Sequence, residues 1–287
     1  MKHIPLIVLF VLPYFVLGQL IYPKASPFSV TIQEVGLDTL KVQYSRPAVQ
    51  GRKIFGDLVP YGRIWRVGAN ESTKLSTSTT LSILGHALPK GNYALYAFPE
   101  ETEWQIAFHK NTEHWGDGRK AYNPDEDVFR ITVKPEPILY HQENFLISFE
   151  DFDYQSVKLV LCWEKTKIEI PITLDTHSKM LGVIADQIKN NPTAQTYYEA
   201  ARYLKEKGED YPIALNYVKK ALELGDENYY FHRVKSLLEA GMTDYKAAIV
   251  SAKKSLSLAA TEGKDEFVRM NQKNIALWET KLLQTNE

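Results

Sequence analysis

Between Tyr44 and Thr73 the chain sets Arg46, Arg52, Arg63, Arg66 and Lys53 among Tyr44, Phe55, Tyr61 and Trp65, with Asp57 and Glu71 as the only acids. Guanidinium groups grip carboxylates or phosphates through paired hydrogen bonds, and aromatic faces stack on sugars or bases. Arg46, Arg52, Arg63, Trp65, Arg66, Asn70 and Glu71 are therefore the candidates for binding an anionic or carbohydrate ligand. The same residues could instead tie a long connection to its domain through backbone carbonyls, because ordered loops need internal polar partners. Asn70 and Glu71 are placed to pair with Arg66 or Arg52 in either use.

Other chemistry is harder to find. His109 and His114 flank Lys-Asn-Thr-Glu, with Asp117, Asp125, Glu126 and Asp127 downstream. A spacing of five in a strand-to-loop segment does not match the helical i, i+4 pair of a zinc site, so no metal is expected. The Asp/Gly spacing of a calcium loop is absent as well. There is no Gly-x-Ser-x-Gly elbow, no Ser-x-x-Lys, and no glycine-rich phosphate loop, so neither a nucleophile nor a cofactor is assigned. Cys162, the only cysteine, sits in the apolar run Lys158–Trp163 and reads as a buried small hydrophobe. An acid–base pair of carboxylates assembled only in the fold stays open.

The elements that position these residues fall into three parts. Met1-Lys2-His3 precedes an uncharged run from Ile4 to Leu17, only 14 residues long and broken by Pro5 and Pro13. A spanning helix needs about 20 apolar residues, so residues 1–18 are expected to be a cleavable export signal, cut before Gln19. No cysteine follows it to carry a lipid, and no later segment could span a bilayer. The mature protein is therefore expected to be periplasmic or secreted, without stable membrane insertion. The formal net charge of −1 gives no field to attract nucleic acid.

Residues 19–175 carry alternating and β-branched segments separated by Gly, Pro and Asn turns. Strands are expected at 29–35, 39–45, 92–98, 104–108, 128–133, 145–149, 157–163 and 167–174. Short strands without intervening helices favour an antiparallel β-sandwich. The motifs Tyr44-Ser-Arg-Pro47, Gly51-Arg52, Ile54-Phe55-Gly56, Val59-Pro-Tyr-Gly62, Trp65-Arg66-x-Gly68-Ala-Asn-Glu71-x-Thr73, Gly91-Asn-Tyr93, Trp104 and Trp115-Gly116 resemble the bacterial family called domain of unknown function 2911 (DUF 2911). The resemblance covers roughly residues 25–175. It implies an all-β module of exported proteins from Bacteroidetes-like bacteria and brings no established activity.

From about residue 178 to 287, Ala, Leu, Lys and Glu recur at helical spacing. Helices are expected at 179–190, 193–207, 211–224, 227–240, 245–259 and 265–283. At a shift of 34 residues Tyr197 matches Phe231, Leu204 matches Leu238, and Ala214 matches Ala248. That period, with the small residues that let helices approach, resembles the tetratricopeptide (TPR) repeat. The chain thus reads as multidomain all-β plus all-α, a sandwich followed by a TPR-like array of helical hairpins. Such arrays hold protein or peptide partners in a groove lined by first helices. Tyr198, Arg202 and Tyr230 are the candidates for that contact, while Tyr197 and Phe231 read as core. The last helix is expected to cap the array through a stripe of Phe267, Met270, Asn274, Leu277 and Lys281. An exported, non-enzymatic binding or scaffold protein is the leading reading. An envelope hydrolase is the second, and a purely structural role the third.

Overall fold

The computed structural model describes residues 22–116, 119 and 121–285. The expected export signal lies outside them. The chain divides between Thr176 and His177 into two compact units, each described by itself.

The first unit holds two antiparallel sheets. Six strands, β1 (Phe28–Val35), β2 (Asp38–Ser45), β3 (Thr73–Thr77), β6 (Gly91–Pro99), β7 (Trp104–His109) and β8 (Asp127–Val133), make the larger sheet in that order. The smaller has the order β5 (His86–Leu88), β4 (Leu81–Ile83), β10 (Ser156–Leu174) and β9 (Glu136–Glu150). Period-two alternation decides what each face carries. Leu40, Val42 and Tyr44 of β2, Leu95 and Ala97 of β6, and Trp104, Ile106 and Phe108 of β7 turn inward. They join Phe145, Ile147, Leu159, Leu161, Ile170 and Ile172 of the smaller sheet in one core.

Strand β10 shows how a bulge hides continuity from the sequence. Its residues in the shared core run Val157, Leu159, Leu161, Trp163 and then Ile168, Ile170, Ile172, Leu174. The parity switches where register shifts flank Glu164, whose φ is +55°. An inserted residue bends a strand without ending it. The two strands expected at 157–163 and 167–174 are therefore one.

The connection from Arg46 to Ser72 is pinned to the larger sheet. Trp65 and Ala97 of β6 exchange both backbone hydrogen bonds at 2.8 Å. Trp65 Nε1 donates to Gly68 O, and Thr73 Oγ1 donates to Val67 O. Val67 (φ +55°) and Asn70 (φ +62°) are held left-handed, a sparsely populated conformation for a β-branched residue that only a well-tied segment keeps. Trp65 enters an aromatic cluster with Phe55, Trp104, Phe145 and Trp163, lying parallel to Trp163 at 5.9 Å.

The second unit is six helices: α1 (Thr176–Asn190), α2 (Ala194–Lys207), α3 (Tyr211–Leu224), α4 (Tyr229–Gly241), α5 (Tyr245–Thr261) and α6 (Asp265–Thr285). Thr193, Asn228 and Asp244 cap α2, α4 and α5 by accepting the backbone N–H three residues on. Gly208 ends α2 in the left-handed conformation. From α2 onward each helix packs on the next, and α2 also meets α4. Fully buried Ala201, Ala214, Ala221, Ala248 and Ala252 permit the close approach. In α6 the buried stripe differs from expectation. Asn271 and Trp278 face inward, with Ile275 and Leu282 partly buried, while Met270 and Leu277 are exposed. The stripe is set by Trp278, which packs on Ala248, Ile249 and Ala252 of α5. No helix among the described residues is long and apolar enough to cross a membrane.

Candidate functional site

The arginine-rich connection folds so that part of it frames a cavity of about 480 Å³. Arg52, Arg63 and Arg66 line it, and Arg119 joins them from the β7–β8 connection. Trp65 and Trp163 are also among its lining residues. Among the described residues lining this cavity there are four arginines and no Asp or Glu. Arg52 is oriented by its own loop: Nε donates to Val49 O at 3.0 Å and Nη2 to Ala48 O at 2.6 Å. Trp163 is 2% exposed, and its Nε1–H has no acceptor among the described residues. Clustered guanidinium groups suit a ligand with acceptor oxygens and negative charge.

Three of the expected ligand residues are used otherwise. Arg46 is a structural tie, donating from Nε to Phe145 O at 2.9 Å. Asn70 donates to Ser26 O and Ser45 Oγ at 3.2 and 3.1 Å, not to a ligand cavity shared with the arginines. Glu71 pairs with Lys74 Nζ at 2.9 Å rather than with Arg66 or Arg52, and that hydrogen bond holds its carboxyl below the usual range. Asn70 and Glu71 line a second depression of about 410 Å³ with Lys74 and Trp115. The turn at Val67–Asn70 separates them from the arginines, since its left-handed residues redirect the chain.

A second polar cluster lies on the opposite face of β6 and β7, where Tyr96 and His109 alternate with the inward Leu95 and Phe108. From the β7–β8 connection, His114 and Tyr122 pack over this face against Tyr96. Lys110 N donates to Glu126 O at 3.0 Å and closes the loop at its base, while His109 is registered opposite Asp127 of β8. Ser72 N approaches His114 O at 3.5 Å, and Gly116 N donates to Asn70 O at 3.2 Å, which fixes the middle of the loop beside β3. His109 is fully buried, its Nδ1 lying 2.9 Å from Asp127 Oδ1. Tyr122 donates to Asp127 Oδ2 at 2.6 Å, and Arg130 Nε donates to the same oxygen at 2.7 Å. Burial, and then the bond to Asp127, push the Tyr122 hydroxyl above the ordinary tyrosine range. Tyr96 Oη and His114 Nδ1 are 2.9 Å apart. The helical i, i+4 rule gave no sign of this cluster, because a strand end and a returning loop assemble it.

In the helical unit, Tyr198 is half-buried and stacks on Phe231 at 4.9 Å. Arg202 Nε is 2.8 Å from Glu206 Oε1 on the same helix. Tyr230 is 42% exposed, 4.0 Å from the Tyr229 ring and 5.1 Å from that of Phe267. Tyr198, Tyr230 and Phe267 therefore form a row across α2, α4 and α6, with Tyr198 and Tyr230 6.5 Å apart. Cys162 is buried, and burial raises its thiol pKa.

Among the curated proteins and the solved structures, nothing matches the chain. A family match covers residues 26–172, which is 147 residues of 287 and includes all of the two sheets but the last two residues of β10, the four cavity arginines and the histidine cluster. Over that half of its length the chain belongs to the family described as "Protein of unknown function (DUF2911)".

Proposed function

We propose that this is an exported, non-enzymatic binding protein whose β unit takes an anionic ligand, such as a phosphorylated or uronic-acid sugar, at the arginine cavity. The observation that carries the reading is the convergence of Arg52, Arg63, Arg66 and Arg119 on one cavity whose described lining has no carboxylate. Apolar residues of the lining, among them Leu58, Val59, Pro60 and Ile64, stand beside the arginines. The two sheets are read as a β-sandwich because they share one core.

The helical unit is read as a TPR-like array holding a protein or peptide partner. Support comes from burial that repeats with the 34-residue period: Leu204 with Leu238, Ala214 with Ala248, and Ala221 with Ser255 are all buried. Tyr198, Arg202 and Tyr230 would meet the partner along α2 and α4. Export rests on the sequence pattern of residues 1–18.

Calorimetric titration with inorganic phosphate, glucuronate and glucose tests the cavity. The two anions should bind with salt-sensitive affinity and glucose should not. A hydrogen bond to a charged group is worth about 1.5–3 kcal/mol, so R63A should weaken anion binding at least about tenfold. Equal binding to R63A and wild type, or no binding of either anion, would remove the cavity from consideration. Amino-terminal sequencing of the protein from an envelope fraction checks export, a start at Gln19 being expected. Crosslinking there with Y230A beside wild type checks the partner surface, and an unchanged adduct pattern would count against it.

A further inference from the structure

We infer that His109, His114 and Glu126 form a binding site for a divalent transition metal ion, zinc being the best match to the ligand set. One ring nitrogen of each histidine and a carboxylate oxygen of Glu126 lie within 4.8 Å of one another. A four-coordinate zinc ion with bonds of about 2.0–2.2 Å holds its ligands about 3.3 Å apart. A small inward movement of the three side chains reaches that spacing, and two of them lie on the β7–β8 connection.

The orientation of His109 supports the inference independently. Asp127 is a carboxylate and only accepts, so its contact with Nδ1 at 2.9 Å puts the ring proton there. The lone pair of Nε2 is then directed away from Asp127. Nε2 is fully buried and has no hydrogen-bond partner, although Glu126 Oε2 lies 3.1 Å away. Two acceptors at that distance repel, and either a proton or a metal ion held between them removes the repulsion. A carboxylate fixing the far nitrogen of a histidine is the usual outer partner of a metal ligand. Tyr96 Oη lies 2.9 Å from Nδ1 of His114 and fixes the position of that ring, as donor or acceptor. Two imidazoles and one carboxylate suit zinc and its neighbours in the first transition row rather than calcium or magnesium. Three protein ligands leave a fourth position for water or a further ligand, the pattern of sites that exchange their contents.

The test is zinc uptake by the chain purified without a polyhistidine tag and stripped by chelation. Equilibrium dialysis against micromolar zinc chloride followed by elemental analysis should give one zinc per chain. Cobalt(II) in its place should show the visible absorption of a four-coordinate ion. H114A and E126Q alter loop side chains that are only partly buried, so both should keep the metal-free thermal transition and lose zinc affinity at least tenfold. Absence of uptake, or uptake undiminished in both variants, overturns the inference. If either variant unfolds, X-ray absorption of zinc-loaded wild type decides. Two imidazole nitrogens plus oxygen donors support the site, and any other ligand set overturns it.

Discussion

Replacing Asp127 by Ala removes the acceptor of three side chains at once. The contributions are unequal. His109 Nδ1 is fully buried, so losing its partner leaves a donor with no water to turn to, at a cost of about 1–3 kcal/mol. Tyr122 is half-buried, and its bond of 2.6 Å to a carboxylate adds about 1.5–2 kcal/mol. Arg130 is one-third exposed, so its ion pair counts for about 0–1 kcal/mol. Asp127→Ala should therefore destabilise the β unit by about 2.5–6 kcal/mol. Asp127→Asn keeps the volume and one oxygen. With that oxygen turned to Tyr122 and Arg130, the amide NH2 faces His109 Nδ1, and the imidazole can answer by moving its proton to Nε2. The cost should fall to about 1–2 kcal/mol, while the protonated Nε2 can no longer ligate metal, so zinc affinity should drop 10- to 100-fold. Urea unfolding followed by tryptophan emission measures the first quantity, because Trp65, Trp104, Trp115 and Trp163 all belong to the β unit and only Trp278 to the helices. A shift below about 0.5 kcal/mol for Asp127→Ala would refute the accounting. A larger loss for Asp127→Asn than for Asp127→Ala would refute the proton movement.

Two further outcomes are expected. Gly36 (φ +59°), in the turn between β1 and β2, would place an added Cβ 2.4 Å from Tyr154 O and 2.3 Å from Thr176 Oγ1, so G36A should cost about 2–4 kcal/mol by the same unfolding assay. A loss under about 1 kcal/mol would mean that the turn relaxes freely. In the helical unit, burial holds the His232 imidazole below its ordinary pKa, opposed in part by Glu227, and its Nε2 is buried without a hydrogen bond. The unfolded chain takes up this proton near pH 6.5 while the folded one does so only at lower pH. The contribution of His232 is thus fully present above about pH 6.5 and is lost as pH falls through the folded value. The urea midpoint read at 222 nm should drop between pH 7.5 and 5.5 for wild type and change less for H232Q. Equal slopes for the two would exclude His232 as the cause.

Much of the scaffold was legible because it rests on periodicity. Leu40, Val42 and Tyr44 in β2 and the six helical segments follow patterns of two and of 3.6 residues, and the structure places strands and helices there. Strands β3, β4 and β5 were missed: Thr73–Thr77 is polar in composition, and the other two are only three residues long. The bulge at Glu164 divided β10 on paper because polar Glu164-Lys165-Thr166 looks like a turn. At the cavity, Arg52, Arg63 and Arg66 could be found together because one connection carries them. Arg119 could not, since only the fold brings the β7–β8 connection to that place. Arg46, Asn70 and Glu71 carry the right chemistry, yet backbone carbonyls, serines and Lys74 already engage them. Residue type reveals what a side chain can bind, and only geometry reveals what it has bound already.

The alternation in β6 and β7 writes two messages in one stretch of chain. Leu95 and Phe108 face each other across the strand pair and serve the core, while Ala94 and His109 are paired on the other side. Substitutions can therefore edit either message separately, one face drifting in volume while the other holds its polar groups. A single-residue deletion cannot, because it exchanges the faces and sends Tyr96 or His109 inward as it turns a core residue outward. Across related sequences this predicts that lengths here stay fixed even where identities change, with insertions and deletions gathering instead in the exposed first half of β9, around Leu139 and Tyr140.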